Sequence, residues 1–284
     1  MSFINEIKSR YKGGNIVEKL IYINIAVFVI TLLSKVFFKL YKNNTNYIME
    51  WFSLRPYASE LLVKPWSIIS YGFLHDGFIH IIFNLIALYY IGNLFIQYFT
   101  QKQLLNFYIL GTLFGGLLFV LSYNYFPLFE DRFVPLVGAS AGISAIFIGI
   151  ATYMPNYQLK IPLIGFIKVW HLAAIWVGFD VLGLIGNNAG GNFAHLGGSL
   201  FGFLYVYKAS NKELNLWGTF SSWFEKKEKP LKTVHKSGKK KQSTVKNNTP
   251  NQQQIDAILD KISKSGYDTL TKSEKEFLFK QGKR

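Results

Sequence analysis

Between residues 20 and 207 the chain runs in long apolar blocks broken by short polar segments. Past Lys208 it turns polar, with apolar residues at isolated positions. A bilayer core about 30 Å thick takes roughly 20 apolar residues as helix. Six stretches meet or approach that length, at about 20–38, 78–98, 104–123, 139–153, 169–185 and 192–207. The fourth and sixth are short and rich in Gly, Ala and Ser, which suits close packing inside a bundle better than contact with lipid. The pattern predicts an all-α membrane protein with six transmembrane helices.

The segments between these stretches refine the picture. About 30 residues, 39–69, carry Trp51, Phe52, Leu54, Pro56, Tyr57, Leu61, Leu62 and Trp66, too apolar a set for a solvated linker. Trp and Tyr favour the headgroup zone. This first loop therefore reads as a short interfacial helical hairpin in the outer leaflet, with an ordinary folded loop as the alternative. After residue 207 comes a polar, Lys-rich stretch, 208–250, expected to be a flexible linker. Beyond it, Ile255, Ile258, Leu259 and Ile262 share one helical face, and Gly266 is a plausible stop. Thr271-x2-Glu274 has the form of a capping box opening a second helix with Phe277 and Leu278. The expected organisation is an N-terminal segment 1–19, a six-span domain 20–207, the basic linker 208–250 and a small helical hairpin 251–284.

Charge adds orientation. The chain has 31 Lys and Arg against 16 Asp and Glu, a net +15. Of these, 18 basic and 8 acidic residues lie between Lys208 and Arg284, and only 13 and 8 in the part that precedes them. A basic tail on a nearly neutral apolar body argues against a nucleic-acid-binding fold. Lys8, Arg10, Lys12 and Lys19 precede the first span, which reads as a retained anchor, and Lys102, Lys160 and Lys168 share their side. The positive-inside rule then places both termini, and with them the terminal hairpin, in the cytoplasm. The linker clusters Lys226-Lys227-x-Lys229 and Lys239–Lys241 would attract anionic lipid or simply mark that side. With no cysteine there are no disulfides, thiolate nucleophiles or Cys-based zinc sites. No metal and no cofactor are expected.

Polar groups inside apolar spans are costly, so they mark candidate chemistry. His80 and Asn84 are four apart and share a helical face about one turn from each other, in the stretch that opens with His75. Ser140 sits among small residues in Gly138-Ala139-Ser140-Ala141-Gly142, and His195 precedes Gly198 and Gly202. Each has an ordinary structural reading: a serine as packing glue, a histidine as a hydrogen-bonder, Gly-x3-Gly as a close helix crossing. Asp180 reads as a structural hydrogen-bonder near the outer end of its span, while His171 and His235 read as incidental. Together they say more. Small residues around Ser140 and the two glycines beyond His195 would let two helices approach closely. That brings imidazole to hydroxyl, the nucleophile-plus-base arrangement that activates serine. His80 and Asn84 would face the same cavity as donors to a developing oxyanion.

In this order and in these spans, the three elements resemble those of the rhomboid intramembrane serine proteases. They are His75-x4-His80-x3-Asn84, Gly138-Ala139-Ser140-Ala141 and Ala194-His195-x2-Gly198-x3-Gly202. The resemblance implies a rhomboid-like six-helix bundle, with Ser140 as nucleophile and His195 as base and then acid. It also implies an oxyanion site of Asn84, His80 and the Ser140 N–H, with His75 near the mouth. The family works with a Ser–His dyad, so the resemblance gives Asp180 no part. Two positions depart from the family pattern. Trp66-Ser67 stands where Trp-Arg is usual, so the loop's usual Arg contacts are absent or supplied by Arg55. Ser144 stands where an aromatic residue often packs on the imidazole, leaving Phe147 or Phe193 to orient His195.

The expected activity is hydrolysis of single-span membrane-protein substrates near the outer face. The fifth span is the natural gate, because it carries no proposed site residue. A non-proteolytic rhomboid-like binder of membrane proteins is the alternative, and a transporter a more distant one. A bacterial inner membrane is the expected location.

Overall fold

The computed structural model describes residues 3–129, 133–161, 164–209 and 250–281. The chain divides into two compact units, Met1–Lys226 and Lys227–Arg284. The Lys clusters at 226–229 and 239–241 and His235 lie outside the described residues.

In the first unit, α1 (Phe3–Gly13) leads into α2 (Ile16–Leu40). The break is chemical: Asn15 accepts from the Glu18 N–H at 3.0 Å, and Glu18 accepts from the Asn15 N–H at 2.8 Å. This reciprocal cap satisfies two of the donors that a new helix leaves open. Three short helices follow, α3 (Tyr47–Phe52), α4 (Ala58–Val63) and α5 (Ser67–Ser70). Then come α6 (Phe78–Phe95) and α7 (Gln101–Tyr125), α7 being capped by Thr100 with Gln103. After these lie α8 (Ser140–Tyr153), α9 (Val169–Gly183) and α10 (Ala189–Ala209). The expectation of an all-α body needs one correction. Strands β1 (Gln158–Ile161) and β2 (Gly165–Lys168) pair antiparallel, with Leu159 opposite Ile167. Their alternation is too short to stand out between two apolar spans.

Helices α2, α6 and α7 are long and apolar enough to cross a membrane, and α8 and α9 are shorter apolar helices. Large apolar side chains face outward from them: Leu33 on α2, Ile79 and Phe83 on α6, Phe179 and Leu182 on α9 are all more than 60% exposed. An exposed apolar belt of this extent has hydrocarbon as its natural solvent.

The first-loop segment is folded. Trp51 and Trp66 stack at 6.3 Å, and the Trp66 indole N–H donates to the Trp51 carbonyl at 2.9 Å. Leu54 and Leu136 exchange backbone hydrogen bonds of 3.1 and 2.8 Å, and Gly138 N–H donates to the Tyr71 carbonyl at 3.0 Å. The segment leading into Ser140 is therefore strapped to the first loop. Arg55 pairs with Glu60 at 3.9 Å and lies over the Phe133 ring at 4.6 Å.

The core closes around α7, α8 and α10. A Cβ on Gly198 would collide with the Ala141 carbonyl oxygen, and one on Gly202 with that of Ala145. Both numbers rise together, so α8 and α10 run in the same direction with a four-residue register. Several polar groups inside are paired. Tyr108 donates to the Gly72 carbonyl at 2.7 Å and receives Asn24 Nδ2 at 3.2 Å, and Tyr71 donates to the Thr112 carbonyl at 2.7 Å.

In the second unit, α11 (Pro250–Ser265) and α12 (Lys272–Gln281) flank Gly266, whose φ of +80° ends the first helix. Ile258 and Leu270 are buried, whereas Leu259, expected on the same apolar face, is 52% exposed. The face is narrower than the sequence pattern suggests. Thr271 N–H donates to Glu274 at 2.7 Å, and Lys261 reaches the same carboxylate at 3.0 Å.

Two tests follow from this packing. Gly198→Val forces side-chain atoms into the α8 backbone and should lower stability in detergent by at least about 2 kcal/mol. Gly178→Ala, where a Cβ meets nothing within 4 Å, should leave stability unchanged or raise it by up to about 1 kcal/mol. Thermal unfolding of the two proteins separates these outcomes. In the second unit, the hydrogen bond from the Thr271 N–H, helped by Lys261, pulls the Glu274 pKa from 4.5 to about 2. A depressed carboxylate stabilises fully above its unfolded value and loses that contribution as pH falls through about 2. Carbon NMR of the Glu274 carboxyl should titrate at about 2, and Glu274→Ala should fray α12 at neutral pH.

Candidate active site

Ser140 is the first residue of α8. Gly138, two residues before it, adopts a φ of +130° that side-chain-bearing residues avoid. A Cβ there would also lie 2.9 Å from His80 Nε2 and 3.5 Å from Ser140 Oγ. The bare glycine thus lets the α6 imidazole and the α8 hydroxyl flank one point. Ala139 gives α8 no side-chain cap, so the N–H groups of its first turn remain for an acceptor from outside the helix.

His195 lies three residues before Gly198 on α10, on the face that packs against α8. Its Nε2 is 2.7 Å from Ser140 Oγ. Its Nδ1 is 2.7 Å from Asp180 Oδ1 on α9. Ser140, His195, His80 and Asn84 all line one cavity of about 260 Å³, together with Trp176 and Asn188. Asn84 Nδ2 donates one hydrogen to the His80 carbonyl at 2.9 Å, and its second amide hydrogen remains for another acceptor.

The residues singled out from the sequence therefore fall into two groups. Ser140, His195, His80 and Asn84 converge on the cavity, with Gly138, Gly198 and Gly202 at the close approaches that bring them together. His75 does not line it. It is buried, with its ring edge-on to His80 at 5.1 Å and, among the described residues, no hydrogen-bond partner for either nitrogen.

Two expectations about α9 and His195 need correction. His195 is oriented at Nδ1 by a carboxylate, whereas Phe193 packs on Phe126 and Phe129, and Phe147 lies edge-on to Trp176. A carboxylate fixes an imidazole more strongly than a ring edge does, because the bond is charged and directional. The premise that the fifth span lacks site residues also fails, since α9 supplies Asp180 to His195 and Trp176 to the cavity wall. Trp176 further donates to Ser144 Oγ at 3.1 Å, using the hydroxyl that replaces an aromatic side chain at that position. Sequence reasoning missed Trp176 because tryptophan in a span has many ordinary uses. Asp180 carried a usable signal: only a short connection, 184–188, joins its helix to that of His195, so residues near either side of it can meet.

The family model of the Rhomboid domain matches residues 63–212. The chain belongs to the rhomboid family. It is a multi-pass integral membrane protein, with the matched region holding α6 to α10 and every residue of the cavity. A second match, to a family of unknown function (DUF6576), covers residues 243–283 and takes in α11 and α12. Among named relatives, the presenilin-associated rhomboid-like protein A, mitochondrial, of Danio rerio is 29% identical over 57% of this chain and 41% of its own length. The Rhomboid protease GlpG of Yersinia pseudotuberculosis is 24% identical over 70% of this chain and 64% of its own, as is that of Yersinia pestis. This rhomboid chain therefore covers less than two thirds of the length of either relative.

Burial, with His80 beside it, pushes the His75 pKa down from 6.5 to about 4. Proton NMR of the imidazole should show a midpoint near 4. Between those two values the unfolded chain binds the extra proton, so this group's contribution to stability falls as pH drops from 6.5 towards 4. His75→Phe should remove that part of the acid sensitivity.

Proposed function

We propose that the chain is an intramembrane serine protease that cleaves single-span membrane proteins near the outer face of the bilayer. The observation that carries the reading is the 2.7 Å contact between Ser140 Oγ and His195 Nε2 at the wall of a cavity that His80 and Asn84 also line. A serine hydroxyl is a weak nucleophile until a positioned base can take its proton. The name of the GlpG relatives, rhomboid protease, supports the same reading.

Ser140 Oγ attacks the scissile carbonyl carbon as His195 Nε2 takes the hydroxyl proton. The carbonyl oxygen becomes an oxyanion held by the Ser140 N–H at the start of α8, with His80 and Asn84 as further donors. Collapse breaks the C–N bond, and protonated His195 gives its proton to the leaving amine. Water, deprotonated by His195, then cleaves the acyl ester and frees Ser140.

Depth follows from helix length. The 14 residues of α8 reach about 21 Å, short of the roughly 30 Å hydrocarbon core. With its last turn at the cytoplasmic surface, Ser140 lies below the outer one, in a cavity that admits water from outside. We assign the six spans to α2 and α6 to α10, both termini to the cytoplasm of a bacterial inner membrane, and the first-loop helices to the outer interface. Substrate helices hide their carbonyls in internal hydrogen bonds, so cleavage favours sequences that unwind readily. The basic tail would contact anionic lipid.

A fluorophosphonate probe should label the purified protein, and Ser140→Ala should abolish labelling. Cleavage of a single-span reporter should fall by about 10³-fold or more in Ser140→Ala and His195→Ala. Undiminished cleavage by Ser140→Ala would overturn the assignment. An unlabelled wild-type protein that retains reporter binding would favour the non-proteolytic binder instead.

A further inference from the structure

We infer that Asp180 is a positioning residue for His195, so that this chain works through a Ser–His–Asp relay and not a serine–histidine pair alone. The inference rests on the protease reading above and adds a residue from a helix to which that reading gives no chemical role. Asp180 Oδ1 lies 2.7 Å from His195 Nδ1, on the side of the ring opposite the 2.7 Å contact with Ser140. An ionised carboxylate can only accept hydrogen bonds. Its presence at Nδ1 therefore keeps a proton on that nitrogen and leaves the Nε2 lone pair for the Ser140 hydroxyl. The opposite tautomer, with its proton on Nε2, cannot accept the serine proton.

A role confined to tying α9 to α10 explains less. Asp180 is 6% exposed, and its second oxygen, Oδ2, has no hydrogen-bond partner among the described residues. A neutral hydrogen-bonder would join the helices without a charge buried at membrane depth, where charge is costly. What a carboxylate adds is stabilisation of the imidazolium that forms when His195 takes the serine proton. The geometry supports this: α9 and α10 form a hairpin through residues 184–188, which brings Asp180, near the end of one helix, across from His195, near the start of the next. The carboxylate does not change protonation in the cycle. It holds the ring and its charge while the proton moves between Ser140, His195 and the leaving amine.

The test uses full-length protein in detergent, with Asp180→Asn as the variant, since it keeps the shape and removes the charge. Reporter cleavage should show kcat lowered by about 10²- to 10⁴-fold with KM changed less than about threefold. The rate of fluorophosphonate labelling should fall in parallel, with thermal unfolding close to wild type. Should the variant fail to fold, the wild-type protein still decides. Nitrogen NMR of histidine-labelled protein, assigned with His195→Ala, should show His195 protonated at Nδ1 and unprotonated at Nε2. A wild-type His195 protonated at Nε2, or a folded Asp180→Asn protein with undiminished kcat, overturns the inference and leaves the protease reading intact. A wild-type protein that neither labels nor cleaves overturns the protease reading and the relay with it.

Discussion

Ala141 and Ala145 place their carbonyl oxygens where the side chains of residues 198 and 202 would otherwise stand. That backbone-to-backbone approach is possible because α10 has glycine at both positions. Two contact pairs with the same four-residue spacing fix more than distance, since they set the rotation and the register of both helices. Ser140 directly precedes Ala141, and His195 lies three residues before Gly198. Their 2.7 Å contact thus follows from helix packing, with no long side chain reaching to make it. In a bilayer, where burial of apolar surface does not drive helices together, close packing of small residues is the force available. The same glycines that hold the bundle together bring Ser140 and His195 into contact.

Around this seam the apolar solvent dictates how polar groups are treated. Most are satisfied by near neighbours: Tyr108 by Gly72 and Asn24, Tyr71 by Thr112, Trp176 by Ser144. The first loop takes part as well, because the Leu54–Leu136 bridge and the bond from Gly138 to Tyr71 tie it to the chain entering Ser140. The turn that supports the serine is thus held from two sides. Spare hydrogen-bonding capacity also lies at the cavity, in the N–H groups at the start of α8 and one amide hydrogen of Asn84. Donors left open at that cavity are what an oxyanion requires.

Much of this was legible in the sequence, for a physical reason. Apolar runs set the helices α2, α6, α7, α8, α9 and α10 to within a few residues, because hydrophobic length is a local property. Ser140, His80, Asn84 and His195 were legible as polar residues where polarity is costly. What escaped depended on pairing. Strands β1 and β2 are stabilised by each other, and four residues of alternation give little signal alone. Helix α1 is set off by the Asn15–Glu18 cap, which the long apolar run after it obscures. Leu259 sits on an apolar face by periodicity, yet the short partner helix covers only part of that face. Asp180 is visible in the sequence, but its meaning lies in the distance to His195, which only the packed helices set.

That last point bears on how charge is divided along the chain. The basic residues concentrate after Lys208, where they can set orientation, and the helical body is nearly neutral. Within that body a carboxylate at membrane depth is the exception, and it sits against the imidazole that would become positive when Ser140 gives up its proton. A bilayer disfavours the two separate charges of Asp180 and a protonated His195 far more than it disfavours the pair. In the proposed mechanism, each would lower the cost of the other at the step where the second charge appears. Low polarity, which makes Asp180 expensive in the resting protein, is also what would make its field strong if an imidazolium forms as the proposed mechanism requires. The cost of the carboxylate and its usefulness to the site therefore arise from the same absence of water.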